Sequence, residues 1–173
     1  VDVGQFRTHG ETYYFLNILG LGFVADVTDI AHKLKITGNL SYTLGVLHKT
    51  VFLKSFPLTI TMDGTTYQRE NIFVEISNTR WTANFLMAPT AAIDDGFLDV
   101  TLLGKLDRIK LLWSFPKIFT GEHIHLHEIE TFKAREIIVE TGIPKVLTPD
   151  GELLGITPIE VKCLHQAIDV FWR

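Results

Sequence analysis

Apolar and polar side chains that alternate with period two put one face of a strand into a core and the other outside it. In this chain that pattern, rich in β-branched and aromatic residues and broken by turn chemistry, recurs near residues 12–18, 20–26, 57–63, 66–77, 98–103, 131–140, 145–149 and 158–173. The opening VDVGQFRTHGETYYFLNILG also reads as strand, turn, strand. Asp-Gly pairs stand at Asp63-Gly64, Asp95-Gly96 and Asp150-Gly151, and such pairs favour tight turns because both residues tolerate positive φ. The first, in LTITMDGTTYQ, has clean alternation on both sides and predicts a hairpin. Many short strands joined in this way favour a sandwich or barrel over an alternating α/β fold. The expected class is mainly β, a two-sheet β-sandwich with a few short helices.

The period changes to that of a helix in two places. NLSYTLGVLHKTVFLKSF has an N-cap candidate in Asn39, sets Leu40, Leu44, Leu47 and Val51 at helical spacing, and should end before Pro57. LDRIKLLWSFPKIFTG starts with Asp107 as N-cap and carries Ile109, Leu112, Trp113 and Phe115 before Pro116 bends or ends it. With no repeat, low-complexity run or linker in 173 residues, one domain covering residues 1–173 is expected.

Composition narrows the partners. A formal net charge of −4 gives no basic field for displacing counterions, so nucleic acid is set aside. The single cysteine, Cys163, excludes an internal disulfide framework and a cysteine-based zinc site, and suits a reducing compartment. No apolar stretch is long enough to cross a bilayer and no signal core opens the chain, which predicts a cytoplasmic protein. A chain that begins inside a strand pattern suggests a piece of a longer protein.

Four segments and a few lone residues carry candidate chemistry. Gly20-Leu21-Gly22 in FLNILGLGFVADV would let a backbone approach a ligand, although it lacks the third glycine of a dinucleotide fingerprint and equally suits a bulge or bend. In APTAAIDDGFLDV, Asp94, Asp95 and Asp99 with turn carbonyls offer oxygen ligands to a hard cation, or form a hydrated acidic turn. GEHIHLHEIE puts His123, His125 and His127 on one face if extended; zinc or copper would suit three imidazoles, but nothing completes the set, so a surface cluster is the simpler reading. Ser41, Ser55, Ser77 and Ser114 lack a nucleophile-elbow pattern, and Cys163 sits in a strand as a core residue would. In LTPDGELLGITPIEV, Glu152 follows the Asp150-Gly151 turn, where a carboxylate either serves as base or metal partner or is simply hydrated.

Taken in order, FLNILGLGFVADV, KITGNLSYTLGVL, MAPTAAIDDGFLDV, TGEHIHLHEIETFKAREIIVET and PDGELLGITPIEVKCLHQAIDVFW resemble the carboxy-terminal domain of the lipid kinases that include soluble bacterial diacylglycerol kinases, sphingosine kinases and ceramide kinases. The resemblance covers essentially the whole chain. It implies an NAD kinase/diacylglycerol kinase-like β-sandwich that supplies the lipid pocket and one side of a cleft. The other side would be an amino-terminal domain with a Gly-Gly-Asp-Gly-Thr phosphate loop, which this sequence lacks, so the chain alone is expected to be inactive. The activity implied is ATP- and Mg²⁺-dependent phosphorylation of a lipid hydroxyl.

Residue by residue, the resemblance implies that Glu152 is the active-site carboxylate, organising Mg²⁺-bound water and the attacking hydroxyl, while Asp150 and Gly151 build its turn. It further implies a structural Mg²⁺ on Asp95 and the carbonyl oxygens of Ala92 and Phe97. Asn17, Gly20 and Gly22 fall in an Asn-x-x-Gly-x-Gly pattern lining the cleft toward nucleotide or headgroup. His123 fits a Gly-x-His motif, consistent with a structural role. The lipid slot would be lined by Phe23, Leu40, Leu44 and Leu47. Sphingosine kinases place an acid where this chain has Thr28, and a threonine cannot neutralise a sphingoid ammonium. Diacylglycerol is therefore the expected substrate, with a sphingoid-base or ceramide kinase domain, a non-catalytic lipid-binding sandwich, or a relative of the NAD kinases as alternatives. An apolar helix and the lack of basic clusters argue against the last. Transient contact with a membrane surface through Trp113, Phe115 and Lys117 is expected, and exposed sheet edges admit a homodimer.

Overall fold

The computed structural model describes residues 1–23, 25, 54–82 and 84–171. Among the described residues there are ten antiparallel strands: β1 (Val3–Thr8), β2 (Glu11–Phe15), β3 (Ile18–Gly22), β4 (Phe56–Met62), β5 (Thr65–Ser77), β6 (Leu98–Gly104), β7 (Ile129–Ala134), β8 (Glu136–Thr141), β9 (Leu147–Pro149) and β10 (Ile159–Leu164). The helix α1 (Arg108–Ser114) is followed by 3-10 turns at Phe115–Phe119 and Glu122–His125.

Strand β5 belongs to both layers. Its first half pairs with β4 in the run β2-β1-β10-β8-β4, and its second half lies between β3 and β6, with β9 and β7 beyond. The register shift between Asn71 and Phe73 marks where one long strand leaves the first layer for the second. Inner-face residues of all ten strands, among them Phe6, Leu21, Ile60, Val74, Val100, Val139 and Val161, form the main core, so the two-sheet sandwich expected from the alternation is what the chain builds.

The second layer is buried on its outer face as well. From Asn71 to Ser77 every residue of β5 is buried, because a second cluster of Phe73, Met87, Leu103, Leu106 and Leu111 packs α1 and the 3-10 turns against that face. Antiparallel register sets the outer face in rows. Ile18, Ser77, Asp99 and Lys133 make one; Thr148, Gly20, Glu75, Thr101 and Thr131 the next; Gly22, Phe73, Leu103 and Ile129 the third. The face thus grades from ionic to apolar along the strands.

Local chemistry explains the turns. Met62 faces Thr65 across a two-residue turn in which Asp63 and Gly64 have φ of 47° and 84°, the hairpin the sequence predicts. Asp107 caps α1, its Oδ1 accepting the amides of Ile109 at 2.9 Å and Lys110 at 3.0 Å. Several expected boundaries move. The strand expected over 131–140 is two strands broken at Arg135, whose amide donates to the Asp63 carboxylate. The strand expected over 20–26 stops at Gly22, that over 145–149 narrows to 147–149, and that over 158–173 ends at Leu164. Glu122–His125 is a 3-10 turn rather than an extended segment. The helix expected from Asn39, with Leu40, Leu44 and Leu47, lies outside the described residues, as does Thr28.

Candidate functional site

The first of three centres is the Asp150-Gly151 turn after β9. Its φ values of 46° and 90° are those of a tight left-handed turn, closed by the Glu152 amide donating to Pro149 O at 2.8 Å. Asp150 does more than build it. Its carboxylate accepts the amides of Leu16 at 2.8 Å, Asn17 at 2.8 Å and Ile18 at 3.0 Å, while its own amide donates to Ile18 O. The turn is thereby locked to the β2–β3 connection, and Asn17 and Glu152 are held on one rigid unit. The Asn17 side-chain oxygen accepts the Thr79 hydroxyl, and its carbonyl accepts the Asn78 amide. The Glu152 side chain is exposed and its carboxylate makes no hydrogen bond among the described residues.

The second centre is the loop 92–97. Asp2, fully buried, accepts the amides of Gly96 at 2.7 Å and Gln166 at 2.7 Å, and lies 2.9 Å from His165 Nδ1. Burial opposes its charge, but the Gln166 and Gly96 amides and His165 outweigh it and hold the Asp2 pKa below the ordinary carboxylate value. Asn78 Nδ2 bridges the carbonyls of Asp2 and Leu16, so this loop and the Asp150 turn are tied together. Within the loop, Asp95 Oδ1 accepts the Phe97 amide at 3.0 Å and Oδ2 meets Lys133 Nζ at 2.6 Å. Lys133 also lies 3.3 Å from Asp99 Oδ2, and Thr90 donates to Asp99 Oδ1. Burial works against the Lys133 ammonium, yet Asp95 and Asp99 raise its pKa. As a cation site the loop offers the right kind of donor, one carboxylate and main-chain oxygens at Ala92 and Phe97. Any ion there must share Asp95 with Lys133, and among the described residues no three metal-ligating side chains converge.

The third centre is a cavity of about 110 Å³ on the outer face of the second layer. Phe23, Phe73, Phe85, Met87, Leu103 and Leu111 are among its walls, with Glu75, Thr82, Ser114 and His123 the polar exceptions. His123 Nε2 donates to Met87 O at 3.1 Å, and burial lowers its pKa, so it is a neutral structural residue. His125 and His127 are exposed. Outside the cavity, α1 turns Ile109 and Trp113 to solvent, 69% and 81% exposed, whereas Phe115 faces inward, 5.8 Å from both Phe85 and Phe119. The expected surface trio of Trp113, Phe115 and Lys117 is corrected to one in which Ile109 replaces Phe115. Beside it Lys54, Lys105, Asp107 and Arg108 line one groove, where the fold brings Lys54 to the segment 105–108; the expectation of no basic cluster is corrected there.

The fold therefore brings Asn17, Glu152 and the Asp95 loop to one end of β3 and β5, sets Gly20 and Gly22 in the rows beside Glu75 and Phe73, and puts Phe23 on the cavity wall. Sequence reading missed Asp2 and Glu75. The signal for both was an acid inside an apolar strand pattern, VDVG and IFVEIS.

Comparison with known proteins agrees with this fold. A diacylglycerol kinase of Mycobacterium tuberculosis (strain CDC 1551 / Oshkosh) is 30% identical over 178 residues, covering 98% of this chain and 56% of its own length. One from Bacillus subtilis (strain 168) is 30% identical over 173 residues, with the same coverage of 98% and 56%. A crystal structure of a Bacillus anthracis str. Sterne protein assigned as a diacylglycerol kinase superposes with a TM-score of 0.73 at 27% identity, covering 95% of this chain and 54% of that one. The chain thus spans a little over half the length of the curated relatives it matches. Residues 17–172 match the family described as the YegS C-terminal NAD kinase beta sandwich-like domain, and the chain belongs to that family, as the carboxy-terminal domain of a diacylglycerol kinase-like protein.

Proposed function

We propose that the chain is the substrate-binding domain of an ATP-dependent lipid kinase that phosphorylates a lipid hydroxyl, with diacylglycerol as the substrate class. The observation that carries this reading is the continuity of β3: it runs from the amide of Ile18, gripped by Asp150, to Gly20 and Gly22 beside the apolar cavity. A tail in the cavity would lie along the strand that leads to the Glu152 turn. Phosphoryl transfer asks the protein mainly for positioning and charge stabilisation, and a free carboxylate on a locked turn meets that need. In the intact protein Glu152 orients the attacking hydroxyl and accepts its proton. Mg²⁺ would supply charge neutralisation at the phosphates, and a structural ion would rest on Asp95 with the carbonyls of Ala92 and Phe97. Ile109 and Trp113, flanked by Lys105, Arg108 and Lys117, suit transient contact with an anionic bilayer.

The test is phosphorylation of diacylglycerol and of sphingosine by the protein with its natural amino terminus, wild type against Glu152→Gln. Removal of a general base should lower turnover by about a hundredfold or more, with the melting temperature unchanged because the side chain is exposed. Equal turnover in the two proteins would refute the role of Glu152. No turnover on either lipid would refute the kinase reading.

A further inference from the structure

Glu75 is a carboxyl on the wall of a mostly apolar cavity, 1% exposed overall. Both of its neighbouring hydroxyls act on the same oxygen: Thr82 Oγ1 donates to Oε1 at 2.9 Å and Ser77 Oγ at 3.4 Å. Oε2 accepts no hydrogen bond among the described residues, and it is not one of the fully enclosed unpartnered atoms. Across the ladder Glu75 faces Gly20 on one side and Thr101 on the other. Glycine leaves the position next to the carboxyl without a side chain, and the following position of the row, Thr148, is buried with an unpartnered Oγ1. A buried carboxyl normally has both oxygens satisfied, because an unmet acceptor forfeits its hydration with nothing in return. Here the second oxygen is left for something that enters the cavity.

The geometry points to Glu75 as a specificity-determining residue that selects, through Oε2, a lipid whose part in the cavity carries a hydrogen-bond donor, a hydroxyl or an ammonium, besides the hydroxyl presented to Glu152, and so favours such a lipid over a diacylglycerol with plain acyl tails. The selection of a donor follows from Oε1: with two hydroxyls donating to it, the proton of the acid form resides on Oε2, and the ionised form presents Oε2 as a pure acceptor. Burial, which outweighs the Thr82 and Ser77 hydrogen bonds, raises the Glu75 pKa to about 7. The choice between donor and acceptor ligands therefore changes with pH. His123 is the other titratable group on the cavity wall among the described residues, and burial lowers its pKa. The inference rests on the lipid-kinase reading for its physiological meaning, but the cavity preference is measurable without turnover.

Octan-1-ol and octyl methyl ether have similar chains and differ in the donor. Their binding to the intact protein, followed by calorimetry at about pH 8.5, should favour the alcohol about tenfold, since a hydrogen bond to a charged group is at stake. At about pH 5.5 the acid proton on Oε2 should shift the preference toward the ether. In Glu75→Gln the arrangement that keeps both hydroxyls donating puts the amide oxygen in the place of Oε1 and turns the amide nitrogen, a donor, into the cavity. That variant should prefer the ether at both pH values, and a melting curve checks that it is folded. Equal binding of alcohol and ether by the wild type, or an unchanged alcohol preference in Glu75→Gln, overturns the inference. A reversed preference in a protein that phosphorylates no lipid leaves the inference standing and refutes the kinase reading alone.

Discussion

Replacing Asp2 removes the acceptor that holds three groups together, and the structure gives the size of the effect. In Asp2→Ala the Gly96 and Gln166 amides and His165 Nδ1 lose a charged partner in a fully buried site. Each hydrogen bond to a charged group is worth about 1.5–3 kcal/mol, their losses are not additive, and the desolvation of the carboxylate is recovered, so the net loss is about 3 kcal/mol. For a domain of this size that lowers the melting temperature by about 9 °C. Asp2→Asn keeps one acceptor oxygen but turns an amide donor toward donors, and should lose about 2 kcal/mol. The pH dependence has a definite sign. The folded pKa is lowered, so the stabilisation is fully present above the unfolded value and is lost as pH falls through the folded one. Urea unfolding of wild type and Asp2→Asn should therefore differ by a constant amount at neutral pH and converge below about pH 4. Hydrogen exchange at the Gly96 amide should quicken in both variants. A melting temperature within about 2 °C of wild type for Asp2→Ala, or a difference that stays flat into strong acid, would refute the reasoning.

Two further outcomes follow from the site. Lys133→Met removes the ammonium that shares Asp95 and Asp99, so Mg²⁺ affinity at the loop, read by calorimetry, should rise about tenfold if Asp95 holds the ion, and Asp95→Asn should abolish it. Trp113→Ala together with Ile109→Ala should weaken binding to vesicles containing anionic lipid at least tenfold while leaving the melting temperature within about 1 °C, because both side chains are exposed; unchanged vesicle binding would remove α1 from the membrane contact.

The parts of the fold that sequence reveals are those decided locally. Asp63-Gly64 makes its hairpin because the pair fits a left-handed turn, and Asp107 starts α1 because its side chain caps the helix within three residues. The break at Arg135 is invisible for the opposite reason: nothing in KAREII is a breaker, and the interruption follows the Arg135 and Glu136 amides donating to Asp63, 72 and 73 residues away. Alternation likewise misleads over the second half of β5, where a layer covered on both faces buries every position and an acid at Glu75 reads as solvent-facing. Glu152 and Asp95 emerged from resemblance and turn chemistry, whereas the Asp150 grip on Leu16–Ile18 and the Asp2 bridge join segments more than 90 residues apart and need the fold to be seen.

The pairing of β1 with β10, Val3 against Leu164 through Arg7 against Glu160, has a consequence for synthesis. Strand β1 has its hairpin partner β2 at once, but its other edge stays open until β10 has left the ribosome. The first layer cannot close while the chain is being made. Contacts of such sequence separation make folding slow, and the open edge of β1 is a pairing template throughout that interval. Truncation before Ile159 should therefore yield aggregation during translation rather than a smaller folded domain.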